Sequence, residues 1–111
     1  MHAEHPDSGP LSGIKVVDLT RGIPGAIATM LLADYGAEVL KLQNPSGDPL
    51  ESSPAYRVWN RGKKSVALDL GEPEAQRVAL KLARDADVFL ESFRPGVAER
   101  LGLGYSSVKD F

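Results

Sequence analysis

DLTRGIPGAIATMLLADYGAEVLKL, Asp18 to Leu42, decides the fold. An apolar run ends in a glycine-punctuated turn, a helical stretch follows, and a second apolar run closes the segment. The first run, Ile14 to Leu19 (IKVVDL), is mostly β-branched and apolar, and short enough for a strand covered on both faces. Pro24 or Gly25 opens the expected helix, which runs to about Tyr35. Within it Ile27 and Leu31, and Ala28 and Leu32, recur at four-residue spacing, with Gly36 in the C′ position. Glu38 to Leu42 (EVLKL) reads as the second strand. Two strands joined by so short a helix form a right-handed βαβ unit with a parallel pair.

The alternation then repeats. Gln43 to Pro54 carries Pro, Gly, Ser and Asp without a period and reads as a surface loop of above-average length. Ser65 to Leu70 (SVALDL) is a third strand. Gly71-Glu72-Pro73 turns into a helix from about Glu74 to Arg84, whose buried stripe is expected at Ala75, Val78, Leu82 and at Ala79, Ala83. Asp87 to Glu91 (DVFLE) is a fourth strand. Pro95 opens a short helix to about Leu101, Gly102 and Gly104 break it, and Ser106 or Ser107 caps a last turn ending at Phe111. The expected fold class is α/β: an open, Rossmann-like, mostly parallel sheet of about four strands with helices packed on it. Ligands of such sheets bind outside the carboxyl ends of the strands. Here those ends are Thr20-Arg21-Gly22, Gln43-Asn44, Gly71 and Ser92-Phe93-Arg94.

Composition bounds the function. The 111 residues, 42% of them hydrophobic, suffice for one domain with one core. A formal net charge of −2 argues against a nucleic-acid partner held by bulk charge, so any anion site is local. Cysteine is absent, which excludes disulfides, Cys-ligated zinc and thiolate catalysis; no metal site is expected. The polar start MHAEHPDSGP lacks an apolar signal region, and no run nears the roughly 18 residues of a membrane span. A soluble, unexported, cytoplasmic protein is expected, with residues 1–12 as a loose tail and residues 13–111 as the folded segment. His2 and His5, in the tail, are expected to be idle.

Three stretches carry candidate chemistry. The turn after the first strand, Arg21-Gly22-Ile23-Pro24-Gly25-Ala26, lacks the three glycines of the dinucleotide fingerprint, and the second strand ends in Gln43 rather than an acid. It is either a plain βα corner or a helix N-terminus facing an anion. YRVWNRGKKS, Tyr56 to Ser65, holds Arg57, Arg61, Lys63 and Lys64 without an acid. It reads as a phosphate clamp with Tyr56 or Trp59 as a flat surface for a base, or as a solvated loop with Trp59 anchored in the core, the latter being expected of the Trp. In ESFRPGVAERLGLGY, Arg94 lies between a strand's carboxyl end and a Pro-opened helix, where an anion meets a guanidinium and a helix dipole. Arg100 is two turns further on.

The sequence resembles the family III CoA-transferases, among them formyl-CoA transferase, carnitine CoA-transferases and alpha-methylacyl-CoA racemase. The matching segments are GPLSGIKVVDLTRGIPGAIATMLLADYGAEVLKLQNPSGD, WNRGKKSVALDL and ADVFLESFRPGVAERLGLGY, in family order and spacing. The resemblance implies that coenzyme A or an acyl-CoA is bound as substrate, with no permanently bound cofactor, by Ile23, Pro24, Asn44, Leu68, Gly71, Ser92, Phe93, Arg94 and Arg100, beside Arg21. Gln43-Asn44 departs from the family's Glu followed by a basic or small residue, Gly71 stands where transferases can carry Lys, and Ser92 where they can carry Asn. The expected nucleotide grip therefore leans on Lys63, Lys64, Arg94 and Arg100.

Family transferases use an Asp nucleophile and racemases a His and Asp pair, both well downstream of the motifs matched here. Asp18, Asp34, Asp69, Asp85 and Asp87 read as structural or capping acids, so no catalytic residue is expected in this chain. The resemblance thus implies the N-terminal CoA-binding portion of a longer transferase, inactive alone, with a CoA thioester as its partner and self-association expected. The alternatives are the same portion of a racemase-like enzyme, or a stand-alone small α/β binding or interaction module.

Overall fold

The computed structural model describes residues 9–109. Four strands, β1 (Lys15–Leu19), β2 (Glu38–Gln43), β3 (Lys64–Ala67) and β4 (Val88–Glu91), form one sheet in the order β3-β2-β1-β4. All pairings are parallel, and the register sets Val17 beside Leu40 and Phe89, and Gln43 beside Ala67. β1 lies inside the sheet, which is why Val16, Val17, Asp18 and Leu19 are all buried.

The chain steps outward from β1 to β3, then crosses back to place β4 on the other side of β1. Right-handed crossovers stepping in opposite directions lie on opposite faces. Accordingly α1 (Ile23–Asp34) covers one face and α3 (Pro73–Asp85) the other. On the α3 side Val17, Leu19 and Leu42 pack with Leu70, Ala75, Ala79 and Leu103. On the α1 side Val16, Ala37 and Val39 pack with Leu32, Ala33 and Leu90. Neighbouring strand residues thus serve opposite cores, as the period of two requires.

The expected α/β sheet is present, with differences at element ends. β3 stops at Ala67 instead of reaching Leu70: after Leu68 N–H donates to Gln43 O at 2.8 Å, Asp69 Oδ1 accepts Gly71 N–H at 3.0 Å and folds the chain away from the sheet. α4 (Val97–Arg100) begins later than Pro95 because Gly96 adopts φ 87°, a left-handed turn that ends the extended run before the helix. α5 (Tyr105–Val108) starts from Gly104, so neither Ser106 nor Ser107 is its cap. A one-turn helix, α2 (Tyr56–Trp59), and a 3₁₀ turn at Pro49–Ser52 capped by Asp48 organise stretches expected to be loop.

Two helical stripes also turn differently. In α3 only Ala75, Ala79 and Ala83 are buried, and Val78 faces out. In α1 Ala26 and Thr29 are buried, whereas Ile23, Ile27 and Leu31 are 43%, 37% and 47% exposed. Residues 9–12, assigned to the tail, are turned back on α1: Leu11 N–H donates to Tyr35 O at 2.8 Å, and a Cβ on Gly9 would stand 2.3 Å from that oxygen. His2, His5 and the end at Phe111 lie outside the described residues.

Candidate functional site

The order of the sheet reverses between β1 and β4, and there their carboxyl ends meet. Arg21 N–H donates to Ser92 Oγ at 2.8 Å, which fastens the turn after β1 to the end of β4. The crevice at such a reversal is where open α/β sheets receive ligands, because the connections leaving the two strands diverge to opposite faces.

The turn itself needs its glycines for separate reasons. Gly22 sits at φ 86° as the residue preceding α1, a left-handed conformation that a side chain disfavours. Gly25 allows α1 to touch the strand end: a Cβ there would lie 2.2 Å from Thr20 Cβ. Pro24 occupies the first turn, where its missing N–H costs nothing. No side chain caps α1 and no acid lies in its first turn, so its positive end stays uncompensated at the crevice.

Most residues singled out from the sequence converge on this edge. Arg21, Ile23 and Pro24 are exposed on the β1–α1 turn. Asn44 follows β2, and its Oδ1 accepts the Ser46 amide at 2.9 Å to turn the chain. Gly71 is exposed in the turn after β3. Leu68 and Phe93 reach the edge by their backbones, while their side chains pack against the α3-side core. Arg94 is exposed after β4 and Arg100 is exposed on α4. Among the described residues, Arg21, Arg94 and Arg100 make no side-chain ion pair.

Lys63 and Lys64 are not brought to this edge. Lys64 enters β3 level with Leu40, and its amine turns back to within 4.0 Å of Glu38 at the start of β2. Lys63 runs beneath α1, where its Nζ donates to Ala26 O at 3.1 Å and to Asn60 Oδ1 at 3.0 Å and stands 3.8 Å from Asp18 Oδ2. Burial pushes its ammonium down from 10.5 to about 8; Asp18 opposes that shift and Lys41 adds to it. Arg61 forms a two-pronged pair with Asp34, at 3.1 and 2.6 Å, which holds the Asp34 carboxyl below its ordinary value. Trp59 is half-buried outside both cores, which corrects its expected anchoring there.

Asp34, Asp69 and Asp87 do serve the fold: Asp34 pairs with Arg61, Asp69 makes the turn after β3, and Asp87 accepts the Lys15 amide at 2.8 Å. Sequence reading passed over Thr29 and Lys41 and took Thr20 only as part of a strand end, although one signal was visible: Asp18 and Lys41 are charged residues inside runs expected to be buried. Both are buried, paired across β1 and β2 in the sheet register.

Cavity size does not mark the site. A cleft of about 360 Å³ lies at the opposite end of the sheet, lined by Gly13, Gly36, Glu38, Arg61 and Lys64, where each cation already faces a carboxylate. At the carboxyl edge Thr20, Arg21, Lys41, Asn44 and Asp48 enclose only about 10 Å³. Open charge and the reversal point distinguish the carboxyl edge, which is an open surface rather than an enclosed hole. Among the described residues no group of acids or histidines could hold a metal, and no helix is long and apolar enough to cross a membrane.

Comparison with known proteins gives the family and the fold. The chain is 43% identical over 106 residues to a probable fatty acyl-CoA transferase of Mycobacterium tuberculosis, covering 86% of this chain and 27% of the relative. It is 39% identical over 111 residues to the human succinyl-CoA:glutarate CoA-transferase, covering 91% of this chain and 25% of the relative. A crystal structure of the mycobacterial protein superposes with a TM-score of 0.86 at 43% identity, over 93% of this chain and 29% of that one. The chain therefore spans a little over a quarter of the length of the relatives it matches. The family model described as CoA-transferase family III matches residues 11–111, the whole sheet and the edge built on it, and the chain belongs to that family.

Proposed function

We propose that this chain supplies the CoA-binding portion of an acyl-CoA:carboxylate CoA-transferase and is inactive by itself. One observation carries the reading: Arg21 and Arg94 stand exposed, without ion pairs among the described residues, on the turns that follow β1 and β4, which the bond from Arg21 N–H to Ser92 Oγ fastens together beside the uncapped start of α1, and Arg100 is exposed on the helix that follows. A nucleotide's phosphates match that arrangement of guanidinium groups and free helix N–H groups. Ile23 and Pro24 offer apolar surface beside it for the pantetheine arm. The acids at this edge, Asp48, Asp69 and Glu91, each accept a backbone N–H in a local turn, and this reading gives none of them the role of a nucleophile for a thioester. CoA or its thioester is the substrate in this reading, held reversibly, in a cytoplasmic protein.

Calorimetric titration of the chain with CoA is the test. Saturable binding at millimolar or lower concentration, without acyl transfer between CoA esters and free carboxylates, is expected. Absence of binding, or turnover above background, overturns the reading. Self-association belongs to the same proposal, since Ile23, Ile27, Leu31 and Tyr35 leave an apolar seam exposed along α1. A strictly monomeric species in sedimentation over a wide concentration range overturns that part.

A further inference from the structure

Beneath the candidate edge lies a polar cluster that cannot reach a ligand. Asp18 is fully buried. Its Oδ1 accepts the Thr20 amide at 2.8 Å and the Thr20 hydroxyl at 2.5 Å. Its Oδ2 accepts the Thr29 hydroxyl at 2.8 Å and faces Lys63 Nζ at 3.8 Å. Lys63, with a side chain 2% exposed, donates to Ala26 O at 3.1 Å. One carboxylate and one ammonium therefore grip the segment that carries Arg21, Ile23 and Pro24 at three points: its entry at Thr20, the first turn of α1 at Ala26, and the second turn at Thr29.

A buried ion pair adds little net stability, because desolvation offsets its attraction. Apolar side chains would fill the same space, but they would not fix the Thr20 amide or the Ala26 carbonyl. What the cluster supplies is directional: four hydrogen bonds converge on one segment and leave it one shape. Resting on the reading of this edge as the CoA site, we propose that Asp18 and Lys63 are positioning residues, which hold the turn from Thr20 to Gly25 in its ligand-receiving shape without touching the ligand. The charged groups facing Lys63 are Asp18 from β1 and Lys41 from β2, the latter 4.0 Å from Asp48. α1 contributes the neutral Thr29 hydroxyl and the Ala26 carbonyl.

The test combines CoA affinity with the amide spectrum of the ligand-free chain, for Lys63→Met, Asp18→Asn and the double variant. Each single change is expected to weaken CoA binding about tenfold at pH 7, and the double change no further, because residues acting as one unit are non-additive. The ligand-free amides of Thr20, Gly22 and Ile23 are expected to move in all three variants. Unmoved amides, undiminished affinity in Lys63→Met, or losses that add in the double variant overturn the proposal. If the unaltered chain binds no CoA, the CoA reading fails and the amides alone decide the positioning role: displaced amides support it and unmoved ones overturn it. If the variants fail to fold, the unaltered chain is titrated instead. Movement of the Thr20 and Ala26 amides with a midpoint near 8, where Lys63 loses its proton, supports the proposal, and its absence overturns it.

Discussion

Two sets of cations invite comparison: the basic segment Arg57 to Lys64, and the arginines Arg21, Arg94 and Arg100 scattered along the chain. The segment is dense and carries no acid of its own, yet Arg61, Lys63 and Lys64 each face a carboxylate brought from elsewhere, Asp34, Asp18 and Glu38. Arg21 lies far along the chain from Arg94 and Arg100, yet the bond from Arg21 N–H to Ser92 Oγ brings its turn to the end of β4, and among the described residues all three keep their charge open. Charge density along a chain is therefore a poor guide to charge offered to a ligand. What counts is whether the fold sets an acid within reach, since a pair at 3–4 Å neutralises what a lone guanidinium presents to solution.

The strongest way to break this contrast is to remove a partner on the engaged side. Asp18→Asn leaves Lys63 buried without its countercharge and is expected to cost about 4 kcal/mol of stability at pH 7. That penalty should shrink above pH 8, as Lys63 becomes neutral, and denaturant unfolding at pH 7 and pH 9.5 measures both values. A penalty that stays constant with pH would show that Lys63 does not depend on Asp18.

Lys63 itself gives the next effect. Its ammonium is held at about 8 in the fold against 10.5 ordinarily, so between those values the unfolded chain binds more protons than the folded one. Stability from this group therefore rises with pH across that window, by about 3 kcal/mol in full. Comparing unfolding of the unaltered chain and of Lys63→Met between pH 7.5 and 10.5 isolates it, and identical slopes would return Lys63 to an ordinary exposed lysine.

On the open side, Arg94→Ala is expected to weaken CoA binding by about 2 kcal/mol, the scale of a lost charge-assisted hydrogen bond, and to leave the unfolding midpoint in place. Calorimetry with a parallel melt separates the two readouts. The smallest effect belongs to Arg61→Ala, whose cation already faces Asp34: CoA affinity should not change. A drop as large as that of Arg94→Ala would erase the distinction between the two sets of cations.

Much of the architecture was legible from local pattern. Runs such as IKVVDL and EVLKL, with a turn and a helix between them, lead to parallel strands, because apolar runs of that length bury only in a covered sheet. The edge residues Arg21, Asn44 and Arg94 were legible too, since the ends of β1, β2 and β4 follow from their strand assignments. Three kinds of feature were not. The end of β3 depended on whether Asp69 would fold the chain, α2 has too few residues to show a period, and the outward turn of Ile27 and Leu31 depended on which face of α1 met the sheet.

By itself, then, the sequence determined the parallel α/β topology, the glycine-dependent turn after β1 and the family, because periodicity, backbone conformational preference and motif order are properties of neighbouring residues. Only the tertiary structure decided which cations stay open. Asp18 and Lys63 lie far apart along the chain, and nothing in either segment announces the other. Their meeting follows from β1 taking the inner place in the sheet and α1 closing over it, and electrostatic pairing acts through that distance in space, not through separation in sequence.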